Sequence, residues 1–476
     1  MSPRKVVFLT VTVVLLFGFI LLFERRMPTT EESERKQNLI WELPQDSIES
    51  LELSNAGSVI ELTKGEKNTW RLTKPEAYAA DAGTVSDLLS QLSSLKRSGG
   101  DSSEAKPEDY GLQNPTAKAT FVWKEASKAA KKQTRTLEIG LEIPGTDSTA
   151  ARVAGKNAVV FVSTSLANAI KKSANDFKSK DVFGGSSWDM TRLEVERGRG
   201  RLSLVKKNTT WWLQQPFSDL ADGDFVGRLI GELTGLRVTE FLGSEDQQNL
   251  ASMGLSPPVY RVTLSDAKGP GATVDFGATR ADGNSLDARR ETQVFAVSNT
   301  ALEDLSKEAV AFREPHLVRF DRLSISQLEG TFGRTAFALT RQEGGWSLRG
   351  GGPLLASAAD DLLTALLDLK SKSFQEESEA KALGGREPAA TVTVKLSEGE
   401  PWMLRFYPHR GDTQATVSGR PGAFLLAGNT PPTLEEAFRK ASSAAAPTPV
   451  PTPAPTKPAK APAKTPALTK PAAGKR

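Results

Sequence analysis

Cysteine is absent from the 476 residues, histidine occurs twice, and aromatic side chains make up only 7% of the chain. Without a thiol there is no disulfide framework, no thiolate metal site and no cysteine nucleophile. The two histidines, His316 and His409, have no further ligands at a definite spacing. A histidine triad or metal centre therefore has nothing to build on, and both read as isolated surface residues. A basic folded surface is also missing. Residues 444–476 carry five Lys and one Arg without an acid, giving +6, and residues 1–26 carry +3. Since the total is +4, the body between them holds −5. A nucleic-acid reader would need its basic patch on the fold, so that class is set aside.

Long apolar runs are equally scarce, with one exception. Val6 to Phe23, VVFLTVTVVLLFGFILLF, is eighteen residues without a charge. At about 1.5 Å per residue it spans roughly 27 Å, close to the hydrocarbon thickness of a bilayer. It exceeds the length of a signal-peptide core and is followed by Glu24-Arg25-Arg26 instead of small residues. It is read as an uncleaved anchor in the lipid bilayer. The short basic N-terminus places the remainder outside the cytoplasm.

The length predicts roughly three domains at about 150 residues each, and internal repeats supply them. Trp70-Arg71-Leu72, Trp211-Trp212-Leu213 and Trp346-Ser347-Leu348 each follow two segments of period-two alternation. Those pairs are Leu51/Leu53 with Ile60/Leu62, Leu193/Val195 with Leu202/Leu204, and Leu323/Ile325 with Phe337/Leu339. Such alternation predicts half-buried antiparallel strands. Pro75, Pro216 and Pro353 come next, and then Asp81, Asp222 and Ser357 at the expected helix N-caps. The predicted helices carry Leu88/Leu92/Leu95, Leu229/Leu233/Leu236 and Leu362/Leu366/Leu369, one stripe for one sheet face. Tyr110-Gly111-Leu112 with Pro115 matches Met253-Gly254-Leu255 with Pro257, and more weakly Leu383-Gly384 with Pro388. A late apolar strand recurs at 160–162, 294–297 and 424–426, followed each time by a short helix. The fold class is therefore α+β: three tandem antiparallel-sheet-plus-helix modules behind a membrane anchor. The expected divisions are 1–26 for the anchor, 27–183, 184–320 and 321–443 for the modules, and 444–476 for a disordered tail.

In that tail nine of 33 residues are proline, interleaved with Ala, Thr and Lys. This composition favours extended polyproline II and can meet an anionic wall polymer or membrane surface through charge alone.

No constellation emerges that performs chemistry, and no catalytic residue, cofactor or metal ligand is assigned. Asp81 and Asp222 become Ser357 in the third copy, which a cap tolerates and a catalytic carboxylate does not. Ser93-Ser94-Leu95-Lys96 has the S-x-x-K spacing of penicillin-recognising enzymes, but its partner motifs are absent. Gly198-Arg199-Gly200 lies between two predicted strands, where it makes a hairpin turn and not a phosphate cradle. The three repeated tryptophans are expected in the core, each between its sheet and its leucine helix.

The repeated pattern resembles the bacterial family known as domain of unknown function 4340. The resemblance rests on the strands ending in Trp70-Arg71-Leu72 with Pro75, the Asp81-capped leucine helix, Tyr110-Gly111-Leu112-Gln113-Asn114-Pro115, and the aromatic-plus-basic exits Phe177 to Val182 and Phe312 to Leu317. It covers about residues 40–440, and the third copy, which lacks such an exit, departs most. The resemblance implies a single-span envelope protein of the cytoplasmic (inner) membrane, with its bulk periplasmic. It also implies a non-enzymatic scaffold or binding role beside ABC-type transporter subunits. The alternative is an envelope enzyme acting on cell-wall polymer, targeted by the basic tail.

Overall fold

The structure, a computed structural model, describes residues 39–443 except 56, 99–104, 125–131, 301, 344, 350–355 and 429. The expected anchor, Val6 to Phe23, and the tail 444–476 lie outside the described residues. Among the described residues no helix is long and apolar enough to cross a membrane.

The first copy opens with β1 (Leu39–Glu42), followed by the meander β2 (Ile48–Asn55), β3 (Ser58–Lys64), β4 (Trp70–Lys74) and β5 (Tyr78–Ala79). Helix α1 (Ala82–Ser93) and β6 (Ser94–Lys96) come next, then β7 (Ala117–Lys124), β8 (Lys132–Glu142), β9 (Ser148–Val153) and β10 (Val159–Ser163). The copy closes with α2 (Thr164–Ile170) and α3 (Ala174–Phe177). β1 pairs with β6, and the other strands form an antiparallel sheet ordered β10-β9-β8-β7-β2-β3-β4-β5. Alternation drives the arrangement: Leu51, Leu53, Ile60 and Leu62 are fully buried while their neighbours are not. The Asp81 carboxylate accepts the Thr84 N–H at 2.8 Å and caps α1, whose Val85, Leu88, Leu89 and Leu92 are buried with those strand residues.

The same order of elements recurs twice. The second copy contains β11 (Met190–Arg197), β12 (Gly200–Lys207), β13 (Thr210–Gln215), β14 (Asp219–Leu220), α4 (Gly223–Gly235) and β15 (Val238–Ser244). It continues through β16 (Tyr260–Asp266), β17 (Gly269–Thr279), β18 (Ser285–Arg290), β19 (Gln293–Ser298) and α5 (Leu302–Ser306). The third contains β20 (Ile325–Phe332), β21 (Thr335–Gln342), β22 (Gly345–Leu348), α6 (Ala356–Leu367), β23 (Ser373–Gln375) and α7 (Glu377–Leu383). It ends with β24 (Ala390–Leu396), β25 (Trp402–His409), β26 (Asp412–Val417), β27 (Ala423–Leu426) and α8 (Thr430–Ser443), its sheet running β22-β21-β20-β24-β25-β26-β27-β23.

By packing, the chain divides into two units, and the middle copy contributes to both. Of the described residues, the first holds 39–185, 233–259 and 274–300, so β15, β18, β19 and the end of β17 belong with the first copy. The second holds 186–232, 260–273 and 302–443, grouping β11 to β14 and β16 with the third copy.

Besides Leu323, expected on a half-buried strand but 74% exposed in a turn ahead of β20, four details differ from the sequence reading. The third leucine of each stripe lies beyond its helix: α1, α4 and α6 end at Ser93, Gly235 and Leu367, ahead of Leu95, Leu236 and Leu369. Leu95 and Leu236 are nevertheless buried, because the following segment stays against the sheet. Second, α6 begins at Ala356, so Ser357 lies within the first turn and not at the cap. Third, of the three repeated tryptophans only Trp211 is buried, at 6% exposure, while Trp70 and Trp346 are partly exposed. Trp346 sits on β22, which forms the edge of its sheet. Fourth, the Tyr-Gly-Leu turn holds in only two copies. Gly111 and Gly254 take left-handed φ of 71° and 68°, whereas Gly384 has an ordinary helical φ of −60°.

Candidate functional site

The residues raised as candidates from sequence are not brought together. Ser93 is buried at the end of α1, where its hydroxyl donates to the Ser90 carbonyl, while Lys96 is exposed on β6. Gly198 and Arg199 form the two-residue turn of the β11–β12 hairpin, with Gly198 at φ 55°. Asp222 accepts the Asp224 and Phe225 amides at the start of α4, as a cap should. His409 ends β25. Among the described residues no group of three or more His, Asp or Glu side chains could hold a metal ion.

The concentrated chemistry lies instead at the two exits. After α3 the chain turns beside β5: the Asp81 amide donates to the Phe177 carbonyl at 2.8 Å, and the Ser179 amide to the Ala79 carbonyl at 2.8 Å. After the second copy the same pattern returns, with the Asp222 amide to Phe312 at 2.9 Å and the Glu314 amide to Leu220 at 2.9 Å. Each exit also bonds on its far side to the segment that follows the next copy's leucine helix. Val238 donates to Lys180 at 2.8 Å, and Leu317 donates to Leu369 at 3.0 Å. An exit is thus a short strand stitched to two consecutive copies.

This stitching buries a cation at each exit. The side chain of Lys178 is 2% exposed. Its ammonium donates to Glu76 and, at 3.0 Å, to the Gln293 amide oxygen, and lies 4.9 Å from the Phe241 ring. Gln293 in turn donates to Glu76. Beside them the Tyr78 hydroxyl is buried with no hydrogen-bond partner among the described residues, and burial pushes its ionisation up.

At the second exit the cation is Arg313. Its Nε donates to Asp219 at 2.6 Å, and its guanidinium carbon lies 4.2 Å from the Phe374 ring. Arg420 grips the other side of Asp219 and also donates to the Glu314, His316 and Leu317 carbonyls. Burial lowers the Arg313 pKa, opposed by Asp219 and reinforced by Arg420. Glu314 is buried beside them. Burial raises its carboxyl pKa, but hydrogen bonds from the His316 amide and ring and from Arg319 outweigh that and hold it below the usual carboxylate range. His316 is therefore not an isolated surface residue; its ring lies 2.6 Å from a buried carboxylate. Apart from the Tyr78 hydroxyl, these buried polar groups are paired with one another or with backbone carbonyls at the joint.

An apolar groove of 590 Å³ opens close to this joint, lined chiefly by Trp212, Leu220, Leu396, Pro401, Trp402 and Met403, with Arg420 and Glu400 among its polar members. Strand alternation explains its aromatic wall: Trp211 and Leu213 turn into the core, so Trp212 faces outward. Trp402 opens β25 opposite Val394. The Ser418 hydroxyl bonds both the Met403 amide and the Pro401 carbonyl, which fixes the loop carrying Glu400. A second, more polar cavity of 470 Å³ shares Met403, Ser418 and Arg420 and reaches to α7.

Comparison with known proteins places the repeats. The model of a family described as a domain of unknown function, DUF4340, matches residues 70–244 and 211–388. Both matches begin at a repeated tryptophan and run on into the next copy. None of the curated proteins compared with the chain matches it. Among solved structures, a DNA polymerase sliding clamp from Pseudomonas aeruginosa aligns over 83% of this chain and 95% of its own, at 8% identity and a TM-score of 0.11. A score that low carries no argument about fold.

Proposed function

This chain belongs to the DUF4340 family, and from that premise we propose that it is a membrane-anchored extracytoplasmic scaffold or binding protein, accessory to an envelope ABC-type transporter complex. Val6 to Phe23 is the proposed anchor in the cytoplasmic membrane. The observation that carries the reading is the pair of stitched exits. Lys178 and Arg313 are each buried in a joint between copies, and close to Arg313 lies an open apolar groove. Fixed joints and an open groove suit presentation of surfaces to a partner. The basic tail would add a weak, salt-sensitive contact with anionic wall polymer.

The test is affinity capture of the full-length protein from detergent-solubilised membranes, followed by mass spectrometry. Membrane subunits of an ABC-type transporter are expected among the captured proteins. Capture of wall fragments without any such subunit would overturn the scaffold reading in favour of an envelope enzyme.

A further inference from the structure

We propose that the groove walled by Trp212 and Trp402 is a docking site for the chain's own proline-rich tail, with Pro455-Thr456-Lys457-Pro458 as the seated segment. The proposal rests on reading the groove as a binding surface and adds its occupant. Extended proline segments are recognised by aromatic-lined grooves, because the polyproline helix is preformed and presents a proline every third residue to a flat ring. Trp212 and Trp402 supply two rings, and Pro401 and Met403 complete an apolar floor. Within the tail, Pro455 and Pro458 stand three apart, which puts them on one edge of a three-residue turn, with Lys457 between them.

Charge sets the orientation. Glu400 lines the groove at the Trp402 side and Glu398 is exposed on the same loop, whereas the Lys207 ammonium lies 5.6 Å from the Trp212 ring. Lysines of the tail begin only at Lys457; residues 447–455, Pro-Thr-Pro-Val-Pro-Thr-Pro-Ala-Pro, are uncharged. The uncharged stretch therefore lies toward Trp212 and Lys207, and Lys457 meets Glu400. Arg420 does not compete for the acid, since its guanidinium is taken up by Asp219 and three backbone carbonyls. Reach is ample. The tail follows directly on α8, which belongs to the same copy as Trp402. Its 33 residues extend to about 100 Å at ~3.1 Å each, while a module of this size is about 35 Å across.

Carbodiimide cross-linking of the full-length protein in detergent tests this, using a mixture of isotopically light and heavy chains. A zero-length Lys457–Glu400 link within one chain is expected. It should fall to background in Trp402→Ala and in Glu400→Lys, in which circular dichroism checks the fold. A double variant carrying Glu400→Lys and Lys457→Glu should regain the link, which a merely structural defect would not allow. Links only between light and heavy chains would overturn self-docking in favour of a second copy's tail, and absence of the link in the unaltered protein would overturn docking altogether. If Trp402→Ala still captures transporter subunits while the link is absent from the unaltered protein, the docking inference fails and the scaffold reading stands.

Discussion

Arg420 holds Asp219 with two parallel hydrogen bonds, of 2.7 and 3.1 Å, across 201 residues of sequence, and neither side chain is more than 1% exposed. The same carboxylate accepts from Arg313. One anion is therefore shared by two buried guanidiniums, and removing it leaves both without a charged partner. Asp219→Ala is expected to cost about 3–5 kcal/mol. Arg420→Met, which leaves the Asp219–Arg313 pair and strands no charge, should cost less. Urea titration of the full chain in detergent, followed by tryptophan fluorescence, separates the two. Equal losses would show that the joint does not depend on its central charge.

Glu314 gives the joint a pH dependence of definite sign. Its folded pKa is depressed by the His316 and Arg319 hydrogen bonds, so the folded state binds the proton less readily than an unfolded carboxyl titrating near about 4.3. The stabilisation is present above the unfolded value and is lost as the pH falls through the folded one. As the pH falls below about 5, the melting temperature should decline more steeply in the parent than in Glu314→Gln. Parallel declines would remove Glu314 from the account.

The three repeated tryptophans should not be equivalent. Trp211, 6% exposed, is expected to cost about 3–5 kcal/mol when replaced by Ala. Trp70 and Trp346, only partly covered at their strands, should each cost less than half as much. Chemical denaturation of the three variants checks the order, and a Trp346→Ala loss as large as that of Trp211→Ala would contradict it.

A fourth expectation concerns topology. Protease added to spheroplasts should digest residues 27–476, and N-terminal sequencing of the mature protein should begin at residue 1 or 2. Protection of the body alongside an intact cytoplasmic control would reverse the orientation. A mature N-terminus near residue 25 would replace the anchor by a cleaved signal.

Much of the module was legible because its strands alternate and its helices repeat. Leu51/Leu53 and Ile60/Leu62 announce two half-buried strands, and Asp81 announces the helix that it caps. The leucine stripe over-reached because periodicity does not register where a helix stops: Leu95 keeps the spacing of Leu88 and Leu92 but belongs to β6. The exits were visible as aromatic-plus-basic segments, so the positions of Lys178 and Arg313 could be read. Their partners could not, since Gln293 lies 115 residues after Lys178 and Asp219 lies 94 residues before Arg313, and no local pattern links them. The groove was hidden for a similar reason. Trp212 and Trp402 look like unrelated strand residues until the second and third copies are folded against each other within one unit.

The stitched exits also distinguish the first two copies from the third. Phe177-Lys178 and Phe312-Arg313 each hand the polypeptide to a further copy, whereas after Leu426 the chain runs into the fourteen-residue α8, packed on α6. In the first two copies the segment after the last strand and its short helix ends in an aromatic followed by a cation, whereas in the third a longer helix takes that place. That helix also completes the third copy's core, since its Leu434 is buried among the strand and α6 residues.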